Sequence, residues 1–344
     1  MVASSSPTYD GARGDVAHIG HVELLTPELE RSSWFFSDVL GMEEEARNGG
    51  SRYFRGFGDY ERYCLKLTES EASGLGHLAL RASSPEALER RVAALERTGR
   101  GLGWNDGDIG HGPAFMFRDP DDRLFEIYYE TERYDPPPYL VPAMLNQHQR
   151  RTGRGVGVRR FEHANFASPD VRACRLFLER ALGYRSLEII ELEGGAEFGA
   201  WLSATIQGHE IIYLREQAAP FGRLHHVAFW VDTREEVLRA ADLFQDHGIF
   251  IEAGPAKHTP IHSFYLYVYE PGGNRVEVTS GGYLIFDPDP EATTVWPDAT
   301  YRASRAWGRG FPPSFDTYAT PPLDETELTD PTGAHVPQKV EESR

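Results

Sequence analysis

Cysteine is scarce in this sequence: 344 residues include only Cys64 and Cys174. Two cysteines about a third of the chain apart do not make the disulfide framework of a small secreted domain, and they cannot supply a thiolate metal cluster. We therefore expect the protein to work in a reducing cytoplasm.

Long apolar runs and positive charge are also in short supply. No apolar stretch approaches the roughly 18 residues of a membrane span, and the first residues lack the pattern of a secretory signal. Lysine and arginine number 35 against 53 aspartates and glutamates, which gives a net charge of -18. Because such a surface repels nucleic acids and anionic membranes, we expect neither as a partner and favour a soluble, cytoplasmic protein that acts on small molecules.

An internal repeat organises the chain. His21 precedes Gly41 by 20 residues, and His163 precedes Gly183 by the same number. In each case a short apolar strand with a histidine leads into an amphipathic helix that ends at Leu-Gly. The two halves of the chain therefore begin alike.

The repeat continues to the end of each half. The segment LGHLALRA, with His77, resembles LHHVAFWV, with His226, at an offset of 149 residues. Each half then closes on two apolar strands around a tight turn, and the last strand carries Glu126 or Glu277, at an offset of 151.

This pattern predicts an α+β fold of two tandem modules, each built from two βαβββ units that curve a sheet around a cavity. We expect the first module at 15–135, a linker rich in Pro, Gly and Arg at 136–158, and a catalytic module at 159–285. A tail at 286–344 is expected to pack on the catalytic module and to become disordered past about Pro322.

Three residues on separate strands of the second half form a candidate metal centre: His163, His226 and Glu277. Two imidazoles and one carboxylate are the facial triad of non-haem iron oxygenases, which leaves coordination positions for substrate and O2. Because the three residues lie on different strands, their spacing alone does not establish the set.

Two neighbours of these residues need a choice. Adjacent strand residues point to opposite faces, so only one of His225 and His226 is expected to reach an interior metal, and the alignment of His77 with His226 favours His226. Asn165 shares the face of His163 by alternation. It is a candidate contact for O2 or substrate, or else a polar residue at a strand end.

Most of residues 15–310 resemble the type I extradiol dioxygenases of the vicinal oxygen chelate superfamily, which has a glyoxalase-like fold. The likeness is greatest to the catechol 2,3-dioxygenase and homoprotocatechuate 2,3-dioxygenase branch. The stretch HTPIHSFYLYVYEPGGNRVE matches the family signature of a histidine, an aliphatic-Tyr pair, an acidic-Pro-x-Gly turn and a ligand glutamate. Ala256 departs from the residues usual at its position.

The resemblance implies extradiol cleavage of a catechol by O2 at a mononuclear Fe(II), with a muconic semialdehyde-type product. Mn(II) would satisfy the same ligands. It also implies a homo-oligomer, commonly a tetramer.

The same resemblance implies roles for individual residues. His163, His226 and Glu277 would bind the metal, His209 would act as acid-base, and His258 and Tyr267 would bind the substrate oxygens and act in catalysis. If the last hairpin turns about Gly272, Tyr267 also faces Glu277 across the strands. Trp201 is a candidate wall of the substrate pocket, although a large aromatic on a strand is usually core.

The first half places His21, His77 and Glu126 where the second half has its triad. Met116 stands at the position of Tyr267, and Gly107 stands nine residues earlier, where a histidine would be needed. We therefore expect a structural module without a catalytic metal, whose histidines are satisfied in the sheet, although the triad itself leaves metal binding open. His111 is expected at the surface or in a loop.

Two other functions are compatible with the fold class. A glyoxalase-type isomerase needs a four-ligand metal shared between modules, and a vicinal oxygen chelate protein that only binds a metal or small molecule needs no acid-base groups. The presence of His209, His258 and Tyr267 favours the dioxygenase. Arg302 and Arg305 in the tail are candidates for binding a substrate carboxylate, or are solvated charges, and the identity of the catechol stays open.

Overall fold

Four βαβββ units follow one another in the computed structural model of the protein, which describes residues 12–287, 293–303, 307–308 and 310–323. The predicted fold class is therefore confirmed. The first module consists of β1 (Val16–Thr26), α1 (Leu29–Trp34), β2 (Glu43–Asn48), β3 (Ser51–Arg55), β4 (Leu65–Glu69), β5 (Gly74–Ala82), α2 (Pro85–Arg97), β6 (Gly101–Asn105), β7 (Ala114–Arg118) and β8 (Leu124–Tyr128).

The second module repeats this order. It consists of β9 (Arg160–Ser168), α3 (Val171–Phe177), β10 (Arg185–Glu191), β11 (Glu197–Ser203), β12 (Ile211–Arg215), β13 (Arg223–Trp230), α4 (Arg234–Asp246), β14 (Ile251–Lys257), β15 (Ser263–Tyr269) and β16 (Arg275–Gly281). The tail adds β17 (Thr294–Pro297), α5 (Asp298–Ala303) and α6 (Pro313–Thr317).

Each module forms one sheet in which the first strands of its two units pair at the centre. The strand orders are β2-β3-β4-β1-β5-β8-β7-β6 and β14-β15-β16-β13-β9-β12-β11-β10-β17. β1 pairs antiparallel with β5, and β9 with β13. This order makes β9, β13 and β16 neighbours, so residues far apart in the sequence meet on one concave face.

The helices that follow β1 and β9 end as the repeat predicts. Both continue for one π-helical turn, Phe35–Val39 and Leu178–Leu182. Gly183 then takes a left-handed conformation at φ +75°, and a Cβ atom there would lie 2.3 Å from the carbonyl oxygen of Ala12. Only glycine fits this turn, because other residues would add both strain and a clash.

The two modules share one hydrophobic core. Phe36 of the first module lies 5.8 Å, between ring centroids, from Phe229 of the second, and Phe125 lies 5.9 Å from Phe166. The closing turn of each module also reaches the other: Arg123 donates to the carbonyl of Ala167. Unfolding of one module would therefore expose the core of the other.

The tail covers one side of the second module. β17 pairs in parallel with β10, while Phe315 and Tyr318 are buried against the sheet. The expected disorder past about Pro322 concerns residues 324–344, which lie outside the described residues. None of the described helices combines the length and hydrophobicity that a bilayer crossing requires.

Candidate metal centre

The side chains of His163, His226 and Glu277 converge on one point of the concave face of the second sheet. The Nε2 atoms of the two histidines are 3.0 Å apart, and they lie 3.2 and 3.1 Å from Oε2 of Glu277. Ala228 is the register partner of both His163 and Glu277, which explains how strands β9 and β16 bring their ligands to the same level of the sheet. All three side chains are buried.

The separations fit a metal ion. Ligand bonds of about 2.0–2.2 Å at octahedral or tetrahedral angles put neighbouring ligand atoms about 3.0–3.5 Å apart. In addition, both carboxylate oxygens of Glu277 are buried and accept no hydrogen bond from the described residues. A buried carboxylate without such partners is costly, and a cation would stabilise it.

Hydrogen bonds behind the two histidines fix which nitrogen faces this point. Nδ1 of His163 lies 3.0 Å from Oε2 of Glu162, and Nδ1 of His226 lies 2.7 Å from Nδ1 of His225. His225 in turn donates through Nε2 to the carbonyl of Phe315, at 2.7 Å. With their Nδ1 protons engaged in this way, His163 and His226 direct Nε2 lone pairs to the metal position.

The electrostatics of the triad suit a cation. Burial lowers the pKa of His226 to about 4. Burial opposes the charge on His163 as well, but the adjacent carboxylates of Glu162 and Glu277 raise its pKa to about 9. Without a metal, His163 thus holds the proton that balances Glu277, and a bound cation would replace that proton.

Three polar side chains surround the triad. The ring of His209, just before β12, lies 4.3 Å from the ring of His163 between centroids. His258 Nε2 lies 3.0 Å from the hydroxyl of Tyr267 and 3.8 Å from Oε1 of Glu277. The predicted cross-strand pairing of Tyr267 with Glu277 is present in β15 and β16.

A cavity of about 300 Å³ opens beside the triad. Asn165 and Trp201, the two pocket candidates from the sequence, both line it, together with His209, His258 and Tyr267. The side-chain oxygen of Asn165 is buried there without a hydrogen-bond partner among the described residues, so it is available to a ligand.

Several contributors to the site were not expected from the sequence. Phe311 and Phe315 of the tail stack on each other with centroids 3.9 Å apart and form one wall of the cavity. Arg302, which the sequence did single out, lines the cavity as well, where it donates to Asp298 at 2.9 Å. Arg305 lies outside the described residues.

The first module contains a second convergence, of His21, His77 and Glu126, and His111 lies beside it in a loop, one of the two places expected for it. His111 belongs to the β6–β7 connection but is buried rather than at the surface, with Nε2 at 3.5 Å from Oε1 of Glu126. Neither atom has a hydrogen-bond partner among the described residues, so these side chains are not fully satisfied within the sheet.

Comparison with known proteins agrees with this architecture. The family model described as "Glyoxalase/Bleomycin resistance protein/Dioxygenase superfamily" matches residues 18–127 and 160–278, which are the two modules. The chain is 44% identical over 310 residues to a metapyrocatechase of Geobacillus stearothermophilus, a match that covers 89% of this chain and 94% of that protein.

Two further relatives differ in their named substrates. A manganese-dependent 2,3-dihydroxybiphenyl 1,2-dioxygenase of Geobacillus genomosp. 3 is 37% identical, over 80% of this chain and 89% of its own. The crystal structure of homoprotocatechuate 2,3-dioxygenase from Arthrobacter globiformis superposes with a TM-score of 0.79 at 26% identity, and covers 89% of this chain and 92% of that one.

Proposed function

Because the chain belongs to the Glyoxalase/Bleomycin resistance protein/Dioxygenase superfamily and is an extradiol ring-cleaving dioxygenase, we propose that its second module carries out the reaction. His163, His226 and Glu277 are the metal ligands in this proposal. The observation that carries it is the convergence of two imidazole lone pairs and one carboxylate, free of other hydrogen bonds, beside a cavity.

The cofactor is a divalent metal ion of the Fe(II) or Mn(II) type. Bound to two imidazoles and one carboxylate, such an ion would keep coordination positions for the two hydroxyl oxygens of the catechol and for O2, and would mediate electron transfer from the catechol to O2. The chain's own part is to hold the diol against the ligands, to move its protons and to exclude water.

His209 is suited to receive a proton from the catechol. Burial, reinforced by the neighbouring His163, keeps the pKa of His209 well below its usual value, so its ring is neutral at neutral pH. A neutral imidazole accepts a proton, and it can return that proton later in the reaction. Its ring lies 4.3 Å from that of His163 between centroids, which supports a position beside the bound diol and O2.

Tyr267 and His258 are suited to bind the substrate oxygens. Burial, with Glu277 adjacent, holds the pKa of Tyr267 well above its usual value, so its hydroxyl stays protonated and can donate. His258, in hydrogen-bond contact with that hydroxyl, reaches towards the same carboxylate. The pair would orient one face of the diol, and the amide of Asn165 lines the same cavity.

We further propose that the preferred substrate is a catechol with an apolar substituent. The apolar side chains that line the cavity include Phe198, Trp201, Ile212, Leu214 and Phe311. Lys257 and Arg302, which also line the cavity, each have a partner within the protein: Arg302 pairs with Asp298, and Lys257 lies over the ring of Phe264. Competition between 4-methylcatechol, 2,3-dihydroxybiphenyl and 3,4-dihydroxyphenylacetate tests this, and the largest kcat/KM on the last compound would contradict it.

An isomerase or a binding protein is less well supported. An isomerase of this fold class would need metal ligands from both modules, whereas each of the two triads here belongs to a single module. A protein that only binds would have no use for His209 and Tyr267 at their positions. We also propose a cytoplasmic location, which the two free cysteines favour, and a homo-oligomeric, tetrameric assembly, which only the resemblance supports.

The function is tested by loading the metal-free protein with Fe(II) under anaerobic conditions, admitting air, and following O2 uptake and yellow product with a panel of catechols. His226→Gln should abolish both signals. His247→Gln is the matched control, since His247 is an exposed residue at the end of α4. If the wild type binds one iron in this module but consumes no O2 with any catechol, the proposal is wrong.

A further inference from the structure

His21, His77 and Glu126 of the first module form a second set of converging ligand atoms, which the proposed reaction does not use. Nε2 of His21 lies 3.0 Å from Nε2 of His77, and the two atoms lie 3.3 and 3.5 Å from Oε1 of Glu126. These separations match those of the second-module triad and the values of about 3.0–3.5 Å expected between ligands of one metal ion.

The strands that carry the three residues are equivalent to those of the second module. His21 lies on β1, His77 on β5 and Glu126 on β8, which are neighbours in the first sheet. Ala79 is the register partner of Glu126, as Ala228 is of Glu277. The candidate ligands therefore occupy equivalent strand positions in the two modules.

The tautomers of His77 and His111 in the first module also favour binding of a cation. Nδ1 of His77 lies 2.8 Å from Oε2 of Glu23, and Nδ1 of His111 lies 2.9 Å from the carbonyl oxygen of Gly112. Each ring donates its Nδ1 proton to that oxygen in the neutral form, so Nε2 is left as a lone pair. The carboxylate behind His77 corresponds chemically to Glu162 behind His163, and this kind of partner orients metal-bound histidines.

Two of the buried atoms that meet at this point lack a hydrogen-bond partner among the described residues. Oε1 of Glu126 and Nε2 of His111 face each other at 3.5 Å, and neither has a hydrogen-bond partner among the described residues. Glu126 is 2% exposed and His111 is 9% exposed, so bulk water does not satisfy them. A positive charge placed between buried lone pairs that are aimed at one point would stabilise them.

We propose that His21, His77 and Glu126, with His111 beside them, bind a divalent first-row transition metal ion in a second, structural site. Imidazole and carboxylate ligands suit Zn(II), Fe(II), Co(II) and Mn(II). The ion ties together β1, β5 and β8 at the centre of the first sheet, as a metal does in other structural sites. This site is additional to the catalytic centre of the second module.

The surroundings distinguish the second site from a catalytic one. In the β7–β8 register Met116 is paired with Glu126, so a thioether stands where the second module has the hydroxyl of Tyr267. Tyr63, two residues before the partner of Val22, takes the place of His209, and its hydroxyl lies 3.3 Å from Nε2 of His21. No imidazole stands at the position of His258, where the first module has Gly107. The site therefore binds an ion but does not process a diol.

Co(II) is the probe for this site, because its visible absorption reports nitrogen and oxygen ligation. Metal-free full-length protein is titrated with Co(II), passed over a chelating resin to remove loosely bound ions, and assayed for cobalt by elemental analysis. Glu277→Gln and Glu126→Gln form a matched pair, since the two residues are equivalent in the repeat and glutamine preserves the shape of the side chain.

The proposal predicts two equivalents of cobalt in the wild type, one in each single variant and none in the double variant. Cobalt should also raise the melting temperature of Glu277→Gln but not that of the double variant.

One equivalent of cobalt in the wild type with none in Glu277→Gln would overturn the proposal, because a protonated His77 would then balance the carboxylates of Glu23 and Glu126. One equivalent retained in the double variant would overturn it too, since the ion would lie elsewhere. Because Glu277→Gln leaves the first module intact, the cobalt content of this variant tests the proposal even if Glu126→Gln does not fold. Cobalt binding to the first module is also independent of any dioxygenase activity.

Discussion

The Nδ1 atoms of His225 and His226 lie 2.7 Å apart, although the two residues are adjacent on one strand. Strict alternation would point them to opposite faces of the sheet, but the register of β13 shifts between Leu224 and His226. This irregularity lets His225 connect the metal-facing histidine to the carbonyl of Phe315 in the tail. The tail is thereby coupled to the metal centre.

Replacement of His225 by leucine should weaken metal binding in the second module by about 10- to 100-fold, because His226 loses the partner that fixes its tautomer and orientation. The dissociation constant for Mn(II), measured by chelator competition, checks this. His247→Leu is the matched control on the surface. An unchanged dissociation constant in His225→Leu would show that the contact between His225 and His226 does not affect metal binding.

Replacement of His209 by asparagine should lower kcat by about 100- to 10,000-fold while the metal content stays the same, because a proton acceptor is lost but no ligand is. Steady-state kinetics, with metal analysis of the same preparation, measures both. Loss of the metal together with the activity would assign His209 to coordination rather than to proton transfer.

Metal affinity in the second module should increase with pH up to about 9. His163, whose pKa is raised to about 9 by Glu162 and Glu277 against the effect of burial, must lose its proton when the metal binds. Below that pH each unit therefore lowers the affinity by up to about tenfold. Mn(II) competition titrations between pH 6.5 and 9 measure the slope.

The variant Glu162→Gln sharpens this test. It removes one of the two carboxylates that hold the proton on His163, so the rise in affinity should be complete at a lower pH than in the wild type. An affinity that is independent of pH in both proteins would contradict the assignment.

Stability at low pH should depend on the buried pair of Glu252 and Arg275. Arg275 donates to Glu252 and to the carbonyls of Ser314 and Tyr318, so the pair anchors the tail. Burial alone would raise the pKa of Glu252, but the guanidinium and its hydrogen bonds lower it below the ordinary value near 4.5. The pair therefore stabilises the folded protein fully at pH values above about 4.5. This contribution is lost as the pH falls from about 4.5 through the lower pKa that Glu252 has in the folded state.

Urea unfolding of wild type and Arg275→Met at pH 7 and pH 4 tests this. At pH 7 the variant should lose about 3–5 kcal/mol of unfolding free energy, because it leaves a buried carboxylate unpaired. The difference between the two proteins should shrink at pH 4. A difference that is equal at both values would mean that Glu252 does not titrate in this range.

Much of the fold and of the metal centre could be predicted from the sequence because the chain repeats itself. Equivalent spacing of His77 and His226 selected one of two adjacent histidines, and the turn at Gly272 set the pairing of Tyr267 with Glu277. These are properties of strand register, which the sequence encodes through alternation and turns.

The rest depends on three-dimensional contacts with no periodic signal. Glu162 and His225 adjoin the ligands in sequence, where alternation predicts that they face away. Phe311 and Phe315 belong to an aperiodic tail whose course across the cavity is decided by packing. His111 lies in a loop, and at the 151-residue offset of the repeat it aligns with His262, which is not one of the residues assigned to the second-module site.

The central claim is that the second module cleaves the catechol ring at the carbon-carbon bond next to the two hydroxyl-bearing carbons and adds one atom of O2 to each of the cleaved carbons. Incubation of the Fe(II)-loaded protein with catechol and 18O2, with the product reduced at once to prevent exchange with water, and mass spectrometry of the product test it most directly. The account predicts a semialdehyde-derived product that carries both labelled atoms in the wild type and no product in His226→Gln. A dicarboxylic product of intradiol cleavage, or a product with only one labelled atom, would contradict it.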